Sequence, residues 1–166
     1  MLFRSIKATH ERNRGLGAAL RTGFQRATGD VVCCIDSDCT YEPSEVLRLL
    51  ETLQREGADI ATGSPYHPQG KVENVILWRL WLSQAASWMY RRLAPGRLFT
   101  YTCMVRAYRR QVVESLVIAS DGFVAVTEIL LQALRSGYKV VEVPMVLHSR
   151  MTGVSKMKTQ IGRAHV

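Results

Sequence analysis

The chain has 166 residues, 47% of them hydrophobic, which is enough for one domain with a core and short for two. Glycine and proline occur at ordinary levels, which argues against a disordered chain. The formal charge of +8, from 22 Lys and Arg against 14 Asp and Glu, favours a partner that carries phosphate: nucleic acid, an anionic membrane surface or a phosphorylated small molecule.

The N-terminus and the cysteines bear on the compartment. The first residues do not form a signal peptide, and no stretch reaches about 18 uninterrupted apolar residues. We therefore expect a cytoplasmic protein, either free or at the cytoplasmic face of a membrane. The four cysteines form no C-x-x-C pair, and Cys33 and Cys34 lie in an apolar run, which predicts buried, reduced thiols.

Hydrophobic spacing in the first half of the chain alternates between helix and strand. Apolar residues three and four apart predict a helix over 15–27, and Val31 to Ile35 is typical of a strand buried on both faces. A second helix is predicted over 44–57, followed by a strand over 58–63. This order of strand, helix and strand predicts a βαβ unit in a mostly parallel sheet.

The second half continues as a mixture of helices and strands. Helices are predicted over 72–93, 109–117 and 124–135, and strands over 101–107 and 138–147. The first of these helices contains all three tryptophans, with several arginines among them. It is interpreted either as an amphipathic helix at a membrane interface or as a helix that packs into the core.

Two carboxylates follow the first predicted strand. Side chains at i and i+2 of an extended segment point the same way, so Asp36 and Asp38 would repel each other at the sheet edge. A divalent cation removes this conflict, and carboxylate oxygens suit Mg²⁺ or Mn²⁺. Thr40 is a possible further ligand. The alternative is a solvated turn whose aspartates cap the helix that begins near Ser44.

A series of short motifs resembles the family 2 glycosyltransferases, and within them the branch of dolichol-phosphate mannosyltransferases and bacterial polyprenyl-phosphate relatives. Each motif is weak, but so many in the same order are specific. The resemblance runs from about Asn13 to Lys158. Its motifs are Asn13-Arg14-Gly15-Leu16-Gly17, Ala27-Thr28-Gly29-Asp30, Asp36-Ser37-Asp38, Gly63-Ser64-x-Tyr66, Arg106-Ala107-Tyr108-Arg109, Asp121-Gly122-Phe123 with Glu128, Val141-Glu142-Val143-Pro144, and Arg150-x-x-Gly153-x-Ser155-Lys156.

The resemblance implies a GT-A fold, which is a Rossmann-like, mostly parallel sheet flanked by helices. It implies that Asp36 and Asp38 bind Mg²⁺ or Mn²⁺ at the diphosphate of a nucleotide-sugar, of the GDP-mannose or UDP-glucose type, and that Asn13 and Gly15 lie on the donor side. The sugar would pass with inversion to a polyprenyl or dolichyl phosphate. Asp121 is the candidate base, if one is used, or else it caps the helix that follows it.

Further substrate contacts are expected from basic residues. Arg150, Ser155 and Lys156 follow the last predicted strand, and their spacing matches the family motif, so they are expected to bind a phosphate of the donor or of the lipid acceptor. The alternative is a basic, solvated tail. Arg106 is expected either to face the substrate phosphates or to form a salt bridge at the surface.

The chain departs from the family at its front. Family members begin with a strand and a Pro-x-Tyr-Asn-Glu-like loop, whereas this chain opens close to Asn13. We therefore expect residues 1–166 to be one partial catalytic domain without its first βα units. Three alternatives to a lipid-phosphate acceptor remain: a polysaccharide or other soluble acceptor, an inactive fragment, or a non-catalytic nucleotide-binding module. Nothing in the motifs supports nucleic acid as a partner.

Overall fold

The computed structural model describes residues 5–73 and 77–148, except for the side chains of Leu77 and Arg79. Its helices are α1 (Leu16–Arg26), α2 (Glu45–Arg55), α3 (Leu77–Leu93), α4 (Arg110–Ser115) and α5 (Val124–Arg135). Its strands are β1 (Val31–Cys34), β2 (Ile60–Ser64), β3 (Lys71–Val72), β4 (Arg106–Arg109), β5 (Val140–Pro144) and β6 (Val146–Leu147). The predicted α/β class is confirmed.

The main sheet has four strands in the order β1-β4-β2-β5. Strands β1, β2 and β5 run in one direction, and β4 runs against them between β1 and β2. The predicted strand–helix–strand unit therefore contains two parallel strands, but they are not neighbours, because β4 separates them. Strands β3 and β6 form a small parallel sheet of their own.

Strand β4 is shorter than the predicted strand over 101–107, because the residues before Arg106 bond elsewhere. The N–H of Tyr101 donates to Ser87 Oγ on α3, and the Tyr101 hydroxyl donates to the carbonyl of Gly96 at 2.7 Å. Only at Val105 does the chain reach the sheet, where its carbonyl accepts a hydrogen bond from the N–H of Gly63 at 2.8 Å. The chain around Tyr101 thus contacts α3, and only the residues from Val105 onward bond to the sheet.

Helices cover both faces of the sheet. Leu49 and Leu53 of α2 pack with Ala61 of β2 on one face. On the other face, Ile60 of β2 packs with Phe24 of α1 and Ile129 of α5, because successive side chains of a strand point to opposite faces. This three-layer packing fixes the strand ends from which the polar loops emerge.

The cysteines are free, as predicted, but they differ in burial. Cys103 is buried, Cys33 and Cys34 are half-buried, and Cys39 is exposed. Burial raises the pKa of Cys33 and of Cys103, and it raises the pKa of Cys34 to about 12. These three thiols are therefore protonated at neutral pH.

Helix α3 does not pack its tryptophans into the core, so the core-packing interpretation is wrong for them. Trp81 is 73% exposed, and Trp78 and Trp88 are about half exposed. Among the side chains of this helix that the structure describes, Ser87 is the buried one. Within the described residues, no helix is both long and apolar enough to cross a bilayer.

Candidate functional site

The acidic pair lies in the loop after β1, at the edge where β1, β2 and β5 also end. Asp36 and Asp38 are both half-buried. Asp38 Oδ1 accepts two hydrogen bonds from Thr40, one from its N–H at 3.2 Å and one from its hydroxyl at 2.9 Å. Thr40 therefore orients the carboxylate of Asp38, and its possible role as a further ligand stays a prediction. Open α/β sheets bind their ligands at this edge.

The capping alternative for the aspartates is not supported at the start of α2. The N–H groups of Glu45, Val46 and Leu47 donate to the carbonyls of Glu42, Pro43 and Ser44. The hydroxyl of Ser44 bonds to the Glu42 carboxylate. The first three N–H groups of the helix thus have backbone acceptors in the preceding turn.

Tyr41 and Cys103 lie close enough to Asp36 for its charge to act on them. Burial raises the pKa of Tyr41, with smaller contributions from Cys103 and from the charge of Asp36. The thiol of Cys103 lies 3.6 Å from the Tyr41 hydroxyl, and both residues are buried. The phenol and the thiol stay protonated at neutral pH, so the negative charge at this edge of the sheet belongs to the aspartates.

A second wall of the site is the loop after β2, which contains the motif Gly63-Ser64-x-Tyr66 and whose contact with Thr100 was not predicted. The hydroxyls of Ser64 and Thr100 lie 2.8 Å apart and are buried, and the N–H of Tyr66 approaches the same Thr100 hydroxyl at 3.4 Å. Glu142 on β5 accepts hydrogen bonds from the N–H groups of Phe99 and Thr100, the shortest at 2.8 Å. An acidic residue inside an otherwise apolar strand is the signal from which this anchor could have been predicted.

The end of the described chain returns to the acidic loop. The N–H of His148 donates to the carbonyl of Thr40 at 3.0 Å, and His148 Nδ1 lies 3.3 Å from a carboxylate oxygen of Glu73. The predicted phosphate ligands Arg150, Ser155 and Lys156 lie outside the described residues. They follow His148 in the sequence, so their connection to the fold starts beside the acidic loop.

Arg106 is not at the surface, which corrects both interpretations of this residue. It is 0% exposed, although both predicted roles required an accessible guanidinium. Its guanidinium donates to Thr62 Oγ1 at 3.1 Å, to the carbonyl of Val126 at 2.6 Å and to the carbonyl of Tyr101 at 2.9 Å. Arg106 therefore links β2, α5 and the segment before β4 inside the core.

The predicted donor-side residues Asn13 and Gly15 shape the start of α1. Asn13 Oδ1 accepts a hydrogen bond from the N–H of Gly15 at 2.9 Å, and Gly15 has a φ of +89°. A Cβ atom would lie 2.3 Å from the carbonyl oxygen of Asp121 at Gly15, and 1.9 Å from that of Ser120 at Gly17. The glycines thus allow α1 to approach the backbone before α5. The contact of Asn13 and Gly15 with the donor stays a prediction.

Asp121 pairs with Arg21 and does not cap α5. The N-terminal cap of that helix is Phe123, without a side-chain capping bond, and the Asp121 side chain is 64% exposed. A hydrogen bond from Arg21 and its charge hold the pKa of Asp121 below its ordinary value. Arg21 also donates to the carbonyls of Ile118 and Ser120, so it fastens this loop to α1. Whether Asp121 acts as a base stays a prediction.

Glu128 holds the same loop from the other side. Its carboxylate accepts hydrogen bonds from the N–H groups of Ala119 at 3.0 Å and Ser120 at 2.9 Å. Partial burial raises the pKa of Glu128, but these two hydrogen bonds outweigh it, and the pKa lies below its ordinary value. Glu128 is therefore an ionised anchor of the loop that carries Asp121.

At the acidic loop, two carboxylates, those of Asp36 and Asp38, are candidates to bind a cation. Among residues 5–73 and 77–148, no group of three or more His, Cys, Asp or Glu side chains could hold a metal ion. Mg²⁺ commonly takes one or two carboxylates and completes its shell with substrate phosphates and water. Two half-buried carboxylates with one of them held by Thr40 match that donor set.

Comparison with known proteins identifies the family. Residues 3–117, more than half of the chain, match the model of the family described as Glycosyl transferase family 2. The chain belongs to glycosyl transferase family 2. The membership that the sequence motifs predicted is thereby confirmed.

Two relatives of this family 2 glycosyltransferase have names that state an acceptor. The chain is 38% identical over 149 residues to the polyprenol monophosphomannose synthase of Mycolicibacterium smegmatis, covering 86% of the chain and 56% of the relative. It is 36% identical over 156 residues to the dolichol-phosphate mannosyltransferase of Pyrococcus furiosus, covering 92% of the chain and 43% of the relative. The chain thus spans about half the length of these relatives.

Solved structures of another enzyme share the fold of this family 2 chain. Glucosyl-3-phosphoglycerate synthase from Mycobacterium tuberculosis, with Mn²⁺, UDP and glucosyl-3-phosphoglycerate bound, gives a TM-score of 0.63 at 20% identity and covers 87% of this chain and 49% of that one. The same enzyme with Mg²⁺ and UDP gives 0.65 at 21% identity, covering 87% and 48%. At this level of identity, the likeness concerns the fold.

Proposed function

We propose that this chain forms the part of a glycosyltransferase that holds the diphosphate of a nucleotide-sugar, and that the whole protein transfers a hexose to a polyprenyl or dolichyl phosphate. The names of the two relatives support this class of acceptor. The observation that carries the proposal is the acidic pair after β1, in which Thr40 orients Asp38 at the ligand-binding edge of the sheet.

The donor site takes Mg²⁺ or Mn²⁺ with Asp36 and Asp38 as its protein ligands. The structures of the fold relative with Mn²⁺ or Mg²⁺ together with UDP support a divalent cation. A cation there supplies charge neutralisation for the diphosphate that leaves the sugar. The neutral phenol of Tyr41 and thiol of Cys103 behind the pair add no competing charge.

The transfer itself needs no strong base on the protein. An oxygen of the acceptor phosphate forms a bond to the anomeric carbon as the bond from that carbon to the donor diphosphate breaks, so the configuration inverts. The acceptor phosphate is already ionised near neutral pH. The lowered pKa of Asp121 agrees with this, because a carboxylate paired with Arg21 is a weaker base than an ordinary one. GDP-mannose and UDP-glucose are the donor types proposed.

The acceptor side is assigned to the basic segment that contains Arg150, Ser155 and Lys156. The hydrogen bond from His148 to the carbonyl of Thr40 supports this assignment, because it brings the start of that segment to the acidic loop. Arginine, lysine and hydroxyl groups suit the oxygens of a phosphate. The two halves of the reaction would then meet at the carboxyl edge of the main sheet.

Helix α3 supplies the proposed contact with the membrane in which a polyprenyl acceptor resides. Its exposed apolar side chains recur at three-, four- and seven-residue spacing, which places them along one side of the helix. An amphipathic helix with tryptophans on its apolar side is suited to the interface between headgroups and acyl chains. This exposed stripe consists of Trp78, Trp81, Leu82, Trp88, Met89 and Leu93.

Calorimetric titration with GDP-mannose and with UDP-glucose, in the presence and absence of Mn²⁺, tests the donor site. We expect one donor to bind this chain, or a longer product of the same gene, only when Mn²⁺ is present. The double substitution Asp36→Asn and Asp38→Asn should weaken that binding by more than tenfold, since each lost charge-assisted contact is worth about 1.5–3 kcal/mol.

The control is Asp30→Asn with Glu51→Gln, which removes the same charge at exposed positions away from the acidic loop. It should leave binding unchanged. Mn²⁺-dependent binding that survives the double substitution of Asp36 and Asp38 would contradict the proposed site. Transfer of the sugar to a soluble saccharide, with none to polyprenyl phosphate, would contradict the proposed acceptor.

A further inference from the structure

Arginines surround a cavity at the C-terminal end of α3. The cavity has a volume of about 730 Å³. Two of its arginines are in the last turn of the helix, and the third follows in the loop. The residues that line it are Trp88, Arg91, Arg92, Ala94, Gly96 and Arg97.

The loop after α3 is fixed, so the third arginine has a defined place. Gly96 has a φ of +129°, a conformation that favours glycine and turns the chain back towards the helix end. The carbonyl of Gly96 accepts a hydrogen bond from the buried Tyr101 hydroxyl at 2.7 Å, and the N–H of Ala94 donates to the carbonyl of Tyr90 at 2.7 Å. The turn holds Arg97 next to the last turn of α3.

Two of the guanidinium groups lie on aromatic rings. Arg91 Cζ is 4.7 Å from the ring centroid of Phe99, and Arg92 Cζ is 4.8 Å from that of Trp88. Stacking covers one face of a guanidinium and leaves the N–H groups at its edge available as donors. The arginines are therefore presented with restricted side-chain freedom, which lowers the entropic cost of binding an anion.

These charges are not paired with a carboxylate that the structure describes, although Glu142 is near enough to act on Tyr101 together with Arg91. Within the described residues, no ion pair involves Arg91, Arg92 or Arg97, whereas Arg48 and Arg55 on α2 each pair with a glutamate. Favourable interaction with the carbonyls at the helix end accounts for cations in the last turn. It does not account for Arg97, which lies beyond the helix.

The arginine cluster continues the apolar stripe of α3. Trp88 belongs to both, since its side chain is 59% exposed and its ring lies under Arg92. A surface that adds apolar side chains to guanidinium groups matches a bilayer, in which phosphate headgroups lie directly above the acyl chains. Nucleic acid would satisfy the cations but would leave Leu82, Met89 and Leu93 exposed to water.

We propose that Arg91, Arg92 and Arg97, together with Trp88, form a binding site for the phosphate headgroup of an anionic phospholipid in a bilayer. The proposal rests on the proposed membrane contact of α3 and adds to it a preference for anionic lipid. The three arginines also contribute to the net charge of +8, which the proposed donor and acceptor sites do not fully explain. Its residues are different from those of the proposed acceptor segment.

Vesicle co-sedimentation tests the site with two lipid compositions: phosphatidylcholine alone, and phosphatidylcholine mixed with phosphatidylglycerol. The wild-type chain should bind both, and the mixed vesicles much more tightly. The triple substitution Arg91→Gln, Arg92→Gln and Arg97→Gln should weaken binding to the mixed vesicles by roughly 100-fold, given about fivefold for each cation near an anionic surface. Its binding to phosphatidylcholine alone should hardly change.

The control is the triple substitution Arg26→Gln, Arg48→Gln and Arg55→Gln, which removes the same charge from exposed positions on α1 and α2. It should keep the preference for mixed vesicles. Equal losses in the two triple variants would overturn the headgroup site, because net charge alone would then explain binding. Far-ultraviolet circular dichroism checks that both variants fold.

Two further outcomes separate this site from the membrane contact on which it rests. Wild-type chain that binds both vesicle types equally would overturn the headgroup site but leave the membrane contact of α3 intact. Wild-type chain that binds neither would overturn both. Binding of a duplex oligonucleotide that is lost in the Arg91, Arg92 and Arg97 variant, with no binding to vesicles, would assign the cluster to nucleic acid instead.

Discussion

At the residue scale, two glycines of α1 differ in whether their surroundings leave room for a Cβ atom. Gly17 approaches the carbonyl of Ser120 so closely that a Cβ would lie 1.9 Å from its oxygen, and the N–H of Gly17 donates to the carbonyl of Asp121 at 2.7 Å. Gly23 lies in the same helix and has no atom within 4 Å of an added Cβ. The first glycine is needed for packing and the second is not.

The substitution Gly17→Ala should lower the free energy of unfolding by at least 2 to 3 kcal/mol, roughly the cost of overpacking, because α1 must move away from the loop before α5. Gly23→Ala is the matched control, and it should raise that free energy by about 0.5–1 kcal/mol, because alanine favours a helix interior. Urea denaturation of both variants measures the difference. Equal effects in the two variants would contradict the close approach at Gly17.

At the element scale, hydrophobic spacing was enough to place the helices and most of the strands. The five predicted helices and the strands around Val31, Ala61 and Val141 are confirmed, because each depends on a local pattern of apolar residues. The placement of β4 between β1 and β2 could not be predicted, since pairing between distant strands leaves no local pattern. Burial of Arg106 was missed for the same reason: its acceptors come from three separate segments.

The candidate site was predictable in part. The positions of Asp36 and Asp38 at a strand end followed from the sequence, whereas the wall built from Ser64 and Thr100 depends on a contact across 36 residues. The ion pair between Arg21 and Asp121 joins residues 100 positions apart. Such contacts are set by tertiary packing, and only an acidic residue within a strand, Glu142, gave a hint of them.

Glu142 provides a test of how β5 supports this wall. Replacement by glutamine removes the charge of the acceptor and keeps one oxygen, which can still accept from the N–H groups of Phe99 and Thr100. The other oxygen, 2.8 Å from the N–H of Phe99, becomes an NH2 group, so a donor faces a donor there. We expect Glu142→Gln to lower the free energy of unfolding by about 1.5–3 kcal/mol. Glu51→Gln, on the exposed side of α2, should change it by less than about 0.5 kcal/mol. Urea denaturation measures both, and equal values would contradict the role of Glu142.

At the scale of the whole molecule, stability should decrease from the centre of the sheet to its edges. Strand β2 lies between β4 and β5, and all five of its residues are buried. Strand β1 lies at one edge, where its only pairing among the described strands is with β4. Edge strands have main-chain groups that another strand can pair with.

Hydrogen exchange measured by mass spectrometry or NMR can map this gradient. We expect the amides of Ile60–Ser64 to exchange the slowest, and those of Val31–Cys34 to exchange faster by about 10-fold or more, because local opening at an edge costs less than global unfolding. Protection of β1 equal to that of β2 would contradict the arrangement and would indicate that a further strand covers the edge.

Cys39 is a site at which the acidic loop can be labelled chemically. It follows Asp38 directly, has a φ of +56°, and is the exposed member of the four cysteines, whereas burial keeps the other thiols protonated. A thiol-selective fluorophore or spin label therefore reaches the position beside Asp38 first, without any mutation. The same accessibility means that thiol oxidation would begin one residue from the pair of carboxylates on which the proposed donor binding depends.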